Sequence, residues 1–398
     1  MRAIWEFYSS PKIVFGIGAL RQIGDVVAPF RPEHILLVTD PGLKQAGFVD
    51  RMLQYLNDYD VRVFDGVVPE PPAEKALECY EFARSGPPID LVIGLGGGSS
   101  LDMAKIAALL IAHGGHPFDY EGEHKVPGPV VPLISIPTTA GTGSEVTPVA
   151  VLTDVKRNLK VGVSDNHLRP SVALLDPELT VGLSPYVTAC SGIDALSHAI
   201  ESYTALSYQY VQAQGKRLFQ GSLPISDVLA YRAIELIARN LPLAVHQGSN
   251  IEARSNMLLG SLLAGMSFSN AGNAAAHALA YPIGGLVKSP HGEVTGLILP
   301  YVMELNAPVV PEKMTRIAEA FGMSLSGMSP KEASLSASKA VLQLLEDIGL
   351  PTRLSQIGIE ERHLAMIADE AVKIERLMRN NPRQATARDY EKILRKAL

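Results

Sequence analysis

Short runs of β-branched and aliphatic residues alternate with longer amphipathic stretches through the first half of the chain. "HILLVTD" (34–40), "DVRVFDG" (60–66), "DLVIGLGGGSS" (90–100) and "PLISIPTT" (132–139) read as strands. Between them "LKQAGFVDRMLQYLND", "AEKALECYEFARS" and "SLDMAKIAALLIAH" read as helices. Strand–helix alternation with almost continuously apolar strands predicts a parallel sheet covered on both faces. "VALLDPELTVGLSP" (172–185) predicts a last strand and a turn-rich connection. From about Val187 onward a period near 3.6 dominates and strand patterns almost vanish. "DVLAYRAIELIARNLPLAV" and "ASLSASKAVLQLLEDIGL" predict amphipathic helices, and Thr386 with Asp389 predicts the capped start of the last one. The change of texture near Leu183 predicts an α/β domain over 1–183 and an all-helical domain over 184–398. There is no internal repeat and no low-complexity tract.

Composition narrows the setting. With 398 residues, 47% of them hydrophobic, the chain is too long for one compact core, in keeping with two domains. Charged residues make up 19% and the formal net charge is −6, with no run of lysine and arginine, so nothing suggests a nucleic-acid partner. Cys79 and Cys190 form neither a disulfide framework nor a metal-ligand spacing, which fits a reducing cytoplasm. The start, "MRAIWEFYSSPK", is too polar for a signal peptide. Stretches such as "AALLIA" (107–112) fall well short of the roughly 20 residues of a membrane span, so no membrane partner is expected. A cytoplasmic homo-oligomer is the expected form.

"VIGLGGGSSLDMAKIAALL" combines a strand, a glycine turn and a helix. Gly96, Gly97 and Gly98 leave the backbone open to close approach, and free N–H groups at a helix start attract phosphate. Ser99 stands where an N-cap belongs, with Asp102 three residues on. The spacing is not the G-x-G-x-x-G fingerprint, and a plain tight turn is the competing reading. Asp40 ends the first clear strand, where a carboxylate could accept hydrogen bonds from an adenosine ribose and repel a 2′-phosphate, or simply cap the next turn. "SIPTTAGTGSEVTP" (135–148) is dense in hydroxyls and glycine, as a nucleotide-lining loop would be; its candidates are Thr138, Thr139, Thr142 and Ser144. Lys160, in "NLKVGVSDNHLRP", could sit near the phosphates or the ribose, or be a plain surface lysine.

"SGIDALSHAIESY" (191–203) poses a different problem. Ile193, Leu196, Ile200 and Tyr203 form one apolar stripe, while Asp194, His198 and Glu201 form a second at i, i+4 and i+7. Side chains four apart share a helical face and can reach one ion, although an Asp-x-x-x-His pair can equally be a satisfied polar pair or a wet face. Further on, His277 sits among alanines and His291 in a Pro-His-Gly turn. A histidine in so apolar a setting needs partners, since burying polar groups unpaired costs about 1–3 kcal/mol. One aspartate and three histidines would give a nitrogen/oxygen site suited to Fe(II), Zn(II) or a similar first-row metal.

"GGGSSLDMAK", "PTTAGTGSEVT", "GIDALSHAIESY" and "HALAYPIGGLVKSPHG" resemble the signatures of the iron-containing (group III) alcohol dehydrogenase family, as do "FYSSPKIVFGIGAL" and "NNPRQATARDYEKIL" near the ends. The resemblance covers nearly the whole chain in order. It implies a Rossmann-like N-terminal domain, an all-helical C-terminal domain and an active site in the cleft. It implies that Asp194, His198, His277 and His291 hold one divalent metal, Fe(II) or Zn(II). NAD would lie along the glycine turn, the PTT loop and Lys160, with Asp40 disfavouring NADP.

The chain departs from the family pattern in three places. Tyr281 replaces a histidine that many relatives carry four residues after the first ligand of that helix, and an unperturbed phenol near pKa 10 is a poor neutral-pH base. Glu70 replaces the asparagine of an Asn-Pro pair ahead of Pro71, and "SYQYVQAQGKRLFQGS" (207–222) looks like an insertion. Phe268 is expected on the substrate side or in the core. The expected reaction passes a hydride between NAD(H) and a small primary alcohol or aldehyde. The alternative is a sugar-phosphate cyclase resembling dehydroquinate synthase, which would need a cationic cluster; Lys288 alone is cationic within 255–300.

Overall fold

A computed structural model describes residues 2–157, 159–211 and 217–398. The chain forms two compact units, one of Tyr8–Gly182 and one of Leu183–Leu398 joined by the N-terminal segment up to Phe7. The first unit runs β1 (Lys12–Phe15), α1 (Ile23–Val27), β2 (His34–Val38), α2 (Pro41–Gln45), α3 (Phe48–Gln54), β3 (Asp60–Phe64), α4 (Ala73–Arg84), β4 (Leu91–Gly96) and α5 (Gly98–His113). It continues with β5 (Gly122–Glu123), β6 (Leu133–Pro137), β7 (Val149–Asp154), β8 (Leu159–Ser164) and β9 (Val172–Leu175).

Six strands form one parallel sheet in the order β1-β9-β6-β4-β2-β3. Its apolar runs are continuous because both faces are covered. Ile35 and Leu37 of β2, with Leu91, Ile93 and Leu95 of β4, pack with Ile23 and Val26 of α1 and Val49 and Met52 of α3. Leu36, Val38 and Val92 face the other way, into a core with Ala76 and Cys79 of α4 and Met103 and Ile106 of α5. The sheet is the predicted parallel one, with some differences. "LKQAGFVDRMLQYLND" is two short helices split at Gly47, not one. β1 and the antiparallel hairpin β7/β8 go beyond the expected strands. The hairpin alternates buried and half-buried residues along β7, the mark of a strand with one covered face.

The helical unit holds α6 (Pro185–Thr204), α7 (Pro224–His246), α8 (Ile251–Ala271), α9 (Ala275–Leu286) and α10 (His291–Asn306). After these come α11 (Pro311–Ala320), α12 (Pro330–Asp347), α13 (Leu364–Ala371), α14 (Glu375–Met378) and α15 (Ala387–Ala397). α15 starts at the expected capping box: Asp389 N–H donates to Thr386 Oγ1 and Thr386 N–H to Asp389 Oδ2. α6 packs against α7, α8 and α10, and from Thr188 to Thr204 only Ser191 is not buried. A helix so enclosed must satisfy its polar stripe inside the protein.

The N-terminal segment up to Phe7 belongs with the helices, although the expected α/β range began at residue 1. Backbone pairing explains the difference: Arg2 N–H donates to Gln209 O at 3.0 Å, and Glu6 exchanges hydrogen bonds with the Gln220 side chain at 3.0 and 2.8 Å. Of the insertion at 207–222, residues 212–216 lie outside the described residues; its ends are tied by Tyr208 N–H to Ser222 O. Among the described residues no helix is long and apolar enough to cross a membrane.

Both cysteines are free and buried, and burial pushes each thiol up to about 12. A thiol reagent at neutral pH should therefore label neither in the native chain and both after unfolding. Rapid labelling of the folded protein would contradict this packing.

Candidate functional site

Asp194, His198 and Glu201 on α6 are 5%, 6% and 3% exposed, and α9 brings His277, 3% exposed, against them. α10 contributes His291 as its first residue, with a side chain 30% exposed. Its approach depends on Gly292. A Cβ there would stand 2.1 Å from Cys190 O and 2.8 Å from Asp194 Cβ, so only bare backbone lets α10 start against α6.

The four side chains predicted as metal ligands converge. Asp194 Oδ1 lies 3.9 Å from His277 Nε2 and 3.9 Å from His291 Nε2, and Asp194 Oδ2 lies 4.0 Å from His198 Nε2. Ligand atoms of Asp194, His277 and His291 all lie within 4.8 Å of one another. These separations are too long for hydrogen bonds between those atoms. They suit one cation, because two donors each about 2.0–2.2 Å from an ion can be up to about 4.4 Å apart.

His277 supplies the sharper test of fit. Its Nδ1 stands 2.6 Å from Glu201 Oε2. Glu201 also accepts from Ala274 N–H at 3.0 Å and Ala276 N–H at 2.6 Å. A carboxylate receiving three donors makes Nδ1 the protonated nitrogen, and the buried Nε2 has no hydrogen-bond partner. A lone pair in that position, aimed toward Asp194, is what a cation would complete. Glu201 was visible in the sequence only as the third member of the polar stripe; its link to His277 joins positions 76 residues apart.

The neighbouring rings are ordered by stacking. Phe268 lies flat on His198, centroids 4.2 Å apart, and His198 on His277 at 4.7 Å. Tyr281 stacks on His291 at 6.0 Å, and Arg376 Nη2 reaches its hydroxyl at 3.5 Å. Behind the site, Tyr186 donates to Glu293 Oε2 at 2.7 Å, and burial with that bond holds the phenol above its ordinary ionisation range.

In the α/β unit, β6, β4 and β2 are neighbours, and their carboxyl ends carry the other predicted residues. Helices after β2 and β4 cover opposite faces, so the chain reverses its winding between these strands; ligands of open α/β sheets bind at such a point. Asp40 follows β2 and caps α2, accepting from Leu43 N–H at 3.1 Å. After β4 the N-cap of α5 is Gly97, not Ser99 as expected, because the helix begins two residues earlier, at Gly98. A Cβ on Gly98 would lie 2.7 Å from Thr142 Cγ2, so the glycine lets the post-β6 loop close over the turn. Thr138 N–H binds Gly96 O at 3.0 Å, and Thr139 lies beside Gly97. Ser99 Oγ accepts from Glu70 N–H at 3.2 Å, and Lys160 Nζ donates to Glu70 Oε1 at 2.5 Å, so Glu70 links Lys160 to the glycine turn.

Asp102 and Ser144 belong to one hydrogen-bonded network. Ser144 Oγ donates to Asp102 Oδ1 at 2.6 Å, and Val151 N–H to Asp102 Oδ2 at 2.9 Å. Lys105, fully buried, donates to Ser144 Oγ, Thr147 Oγ1 and Val149 O at 2.8, 3.0 and 2.7 Å. Burial lowers the Lys105 ammonium to about 8 and raises nearby Glu145 to about 7. This network ties α5 to the loop after β6 and to β7. Its sequence signal was a lysine in the apolar run "MAKIAALL".

The α/β unit thus carries a winding reversal beside a glycine turn, and the helical unit a carboxylate with three imidazoles, the parts expected of a metal-dependent oxidoreductase. The chain belongs to the iron-containing alcohol dehydrogenase family. The profile described as "Iron-containing alcohol dehydrogenase" matches residues 10–177, and that described as "Fe-containing alcohol dehydrogenase family, C-terminal" matches 188–398. A long-chain-alcohol dehydrogenase of Geobacillus thermodenitrificans is 42% identical over 372 residues, 92% of this chain and 90% of that one. The crystal structure of a 1,3-propanediol oxidoreductase matches with a TM-score of 0.93 and 35% identity over 100% of both chains. A sulfoacetaldehyde reductase of Bifidobacterium kashiwanohense, solved in complex with NAD+, matches with a TM-score of 0.86 and 29% identity over 100% of this chain and 99% of that one. The sugar-phosphate cyclase alternative is not favoured by these relationships.

Proposed function

We propose that the enzyme transfers a hydride between NAD(H) and a small primary alcohol or aldehyde, with one divalent metal held by Asp194, His198, His277 and His291. The observation that carries this reading is the convergence of those four side chains around the unpartnered His277 Nε2. Bound there, the cation would supply a Lewis acid for the substrate oxygen, and NAD the hydride acceptor. Family membership supports Fe(II) first, and the same donors suit Zn(II). Asp194 balances the cation's charge, and Phe268 fixes the plane of the His198 ring. Tyr281, half-buried beside His291, packs against that ligand and offers its hydroxyl to the substrate side.

On the α/β unit, the N–H groups of the Gly97–Ser99 turn receive pyrophosphate, with Thr138, Thr139 and Thr142 lining the loop beside them. Lys160, set by Glu70, serves phosphate or ribose. Asp102 and Ser144 act indirectly, holding that loop through Lys105. Ile13 and Ile17, exposed at the β1 edge, support a homo-oligomer, and the buried free thiols suit a reducing cytoplasm.

The test is NADH formation from a panel of primary alcohols by metal-stripped enzyme, with and without added Fe(II) or Zn(II). Metal-dependent turnover is expected; undiminished turnover by protein shown to be metal-free would end the reading. Coenzyme choice has its own check. Asp40→Asn preserves the cap on α2 while removing the charge, so kcat/KM for NADP should rise about tenfold, which is 1.4 kcal/mol, with NAD losing ground. An unchanged NADP/NAD ratio would remove Asp40 from the coenzyme site.

A further inference from the structure

We infer that Glu201 is a positioning residue of the metal centre: it sets the tautomer and tilt of His277 so that Nε2 is presented as a bare lone pair. The inference rests on the metal reading proposed above and assigns the buried carboxylate beside it a task. Glu201 is the most buried member of the α6 stripe, 3% exposed. Its two oxygens are spent on Ala274 N–H, Ala276 N–H and His277 Nδ1. The N-cap of α9 is Ala274, which has no side chain able to cap, so a carboxylate from α6 closes that helix start. The same carboxylate therefore anchors the first turn of α9 and the imidazole that turn carries. His277 is locked at Nδ1 to an acceptor that is itself immobilised by two backbone groups. A metal-ligating histidine commonly donates its second N–H to a carboxylate, which fixes its orientation and raises its basicity.

A carboxylate that only capped α9 would matter for stability and not for the metal, and the two roles separate experimentally. Glu201→Gln replaces one acceptor oxygen by an NH2 donor. One oxygen cannot serve all three donors: turned toward Ala276 N–H it sets the NH2 against His277 Nδ1, moving the ring proton to Nε2 and withdrawing the lone pair, and turned toward Nδ1 it sets the NH2 against Ala276 N–H and loosens the turn that carries the ring. Zn(II) binding to the metal-free full chain, measured by competition with a chromophoric chelator, should weaken 10- to 100-fold in Glu201→Gln. Glu201→Asp, which keeps the acceptor, should recover part of the loss, and NAD binding should be unchanged. Nitrogen NMR of histidine-labelled, metal-free wild type should show His277, identified by its disappearance in His277→Gln, protonated at Nδ1 and bare at Nε2. Zn(II) affinity within twofold of wild type in Glu201→Gln, or a wild-type His277 protonated at Nε2, would overturn the inference. If Glu201→Gln does not fold, the wild-type tautomer decides. If folded wild type binds no Zn(II) or Fe(II), the metal reading fails instead, and the tautomer still reports on Glu201 separately.

Discussion

Asp194→Asn should leave the chain folded, able to bind NAD and nearly devoid of activity. Asparagine fills the same volume, so the packing of α6 survives. What disappears is the negative charge among the four donors, whose two oxygens lie 3.9–4.0 Å from three imidazole nitrogens. Metal retained after dialysis should fall close to zero. Alcohol-dependent NADH formation should drop about a thousandfold or more, the upper range for loss of a preorganised electrostatic stabiliser. Thermal unfolding of the metal-free variant should match metal-free wild type to within about 1 kcal/mol, since a cluster without its cation gains little from the carboxylate's charge. Turnover above a tenth of wild type, or a full metal complement, would show that the four side chains are a polar cluster of the core.

Gly292→Ala should be among the most damaging single-methyl changes in the helical unit. The added carbon would meet Cys190 O at 2.1 Å and Asp194 Cβ at 2.8 Å, and neither the α6 backbone nor a β-carbon can swing aside. α10 must retreat from α6 and take His291, the adjacent residue, with it. A destabilisation of about 3 kcal/mol is expected, at the upper end for overpacking, together with weaker metal binding. Gly284→Ala is the control: nothing lies within 4 Å of its Cβ, and it should stabilise α9 by about 0.4–1 kcal/mol. Denaturant unfolding of both variants measures the contrast. A Gly292→Ala loss no larger than about 1 kcal/mol would mean that the helices can separate without consequence.

Much of the architecture was legible in the chain because its periods are unambiguous. β2, β4 and β6 are apolar on both faces, and α5, α7 and α12 hold their period over four turns or more. The β7/β8 hairpin was harder to see. Its alternation is short, and its turn, near Val155–Arg157, has none of the Asn-Gly or Asp-Gly chemistry that announces a hairpin. β1 has four residues and acquires its meaning only from β9 beside it. The metal donors could be nominated because aspartate and histidine are costly on buried helices. Glu201 could not be assigned, since its partners, two backbone N–H groups and the His277 ring, lie 73–76 residues away. Asp102 and Ser144 were nominated from the motifs they sit in, while Lys105, hidden in an apolar run, gave no sign that it donates to Ser144.

The pairing of β1 with β9 also bears on how the protein is made. Lys12 lines up with Val172, and Phe15 with Leu175. A ribosome adding about 5–20 residues per second needs roughly 8–30 s to travel between those partners. Throughout that interval the nascent chain carries an apolar β-strand with nothing to pair with. The edge of the sheet is therefore completed late in translation, after the strands of its centre have emerged.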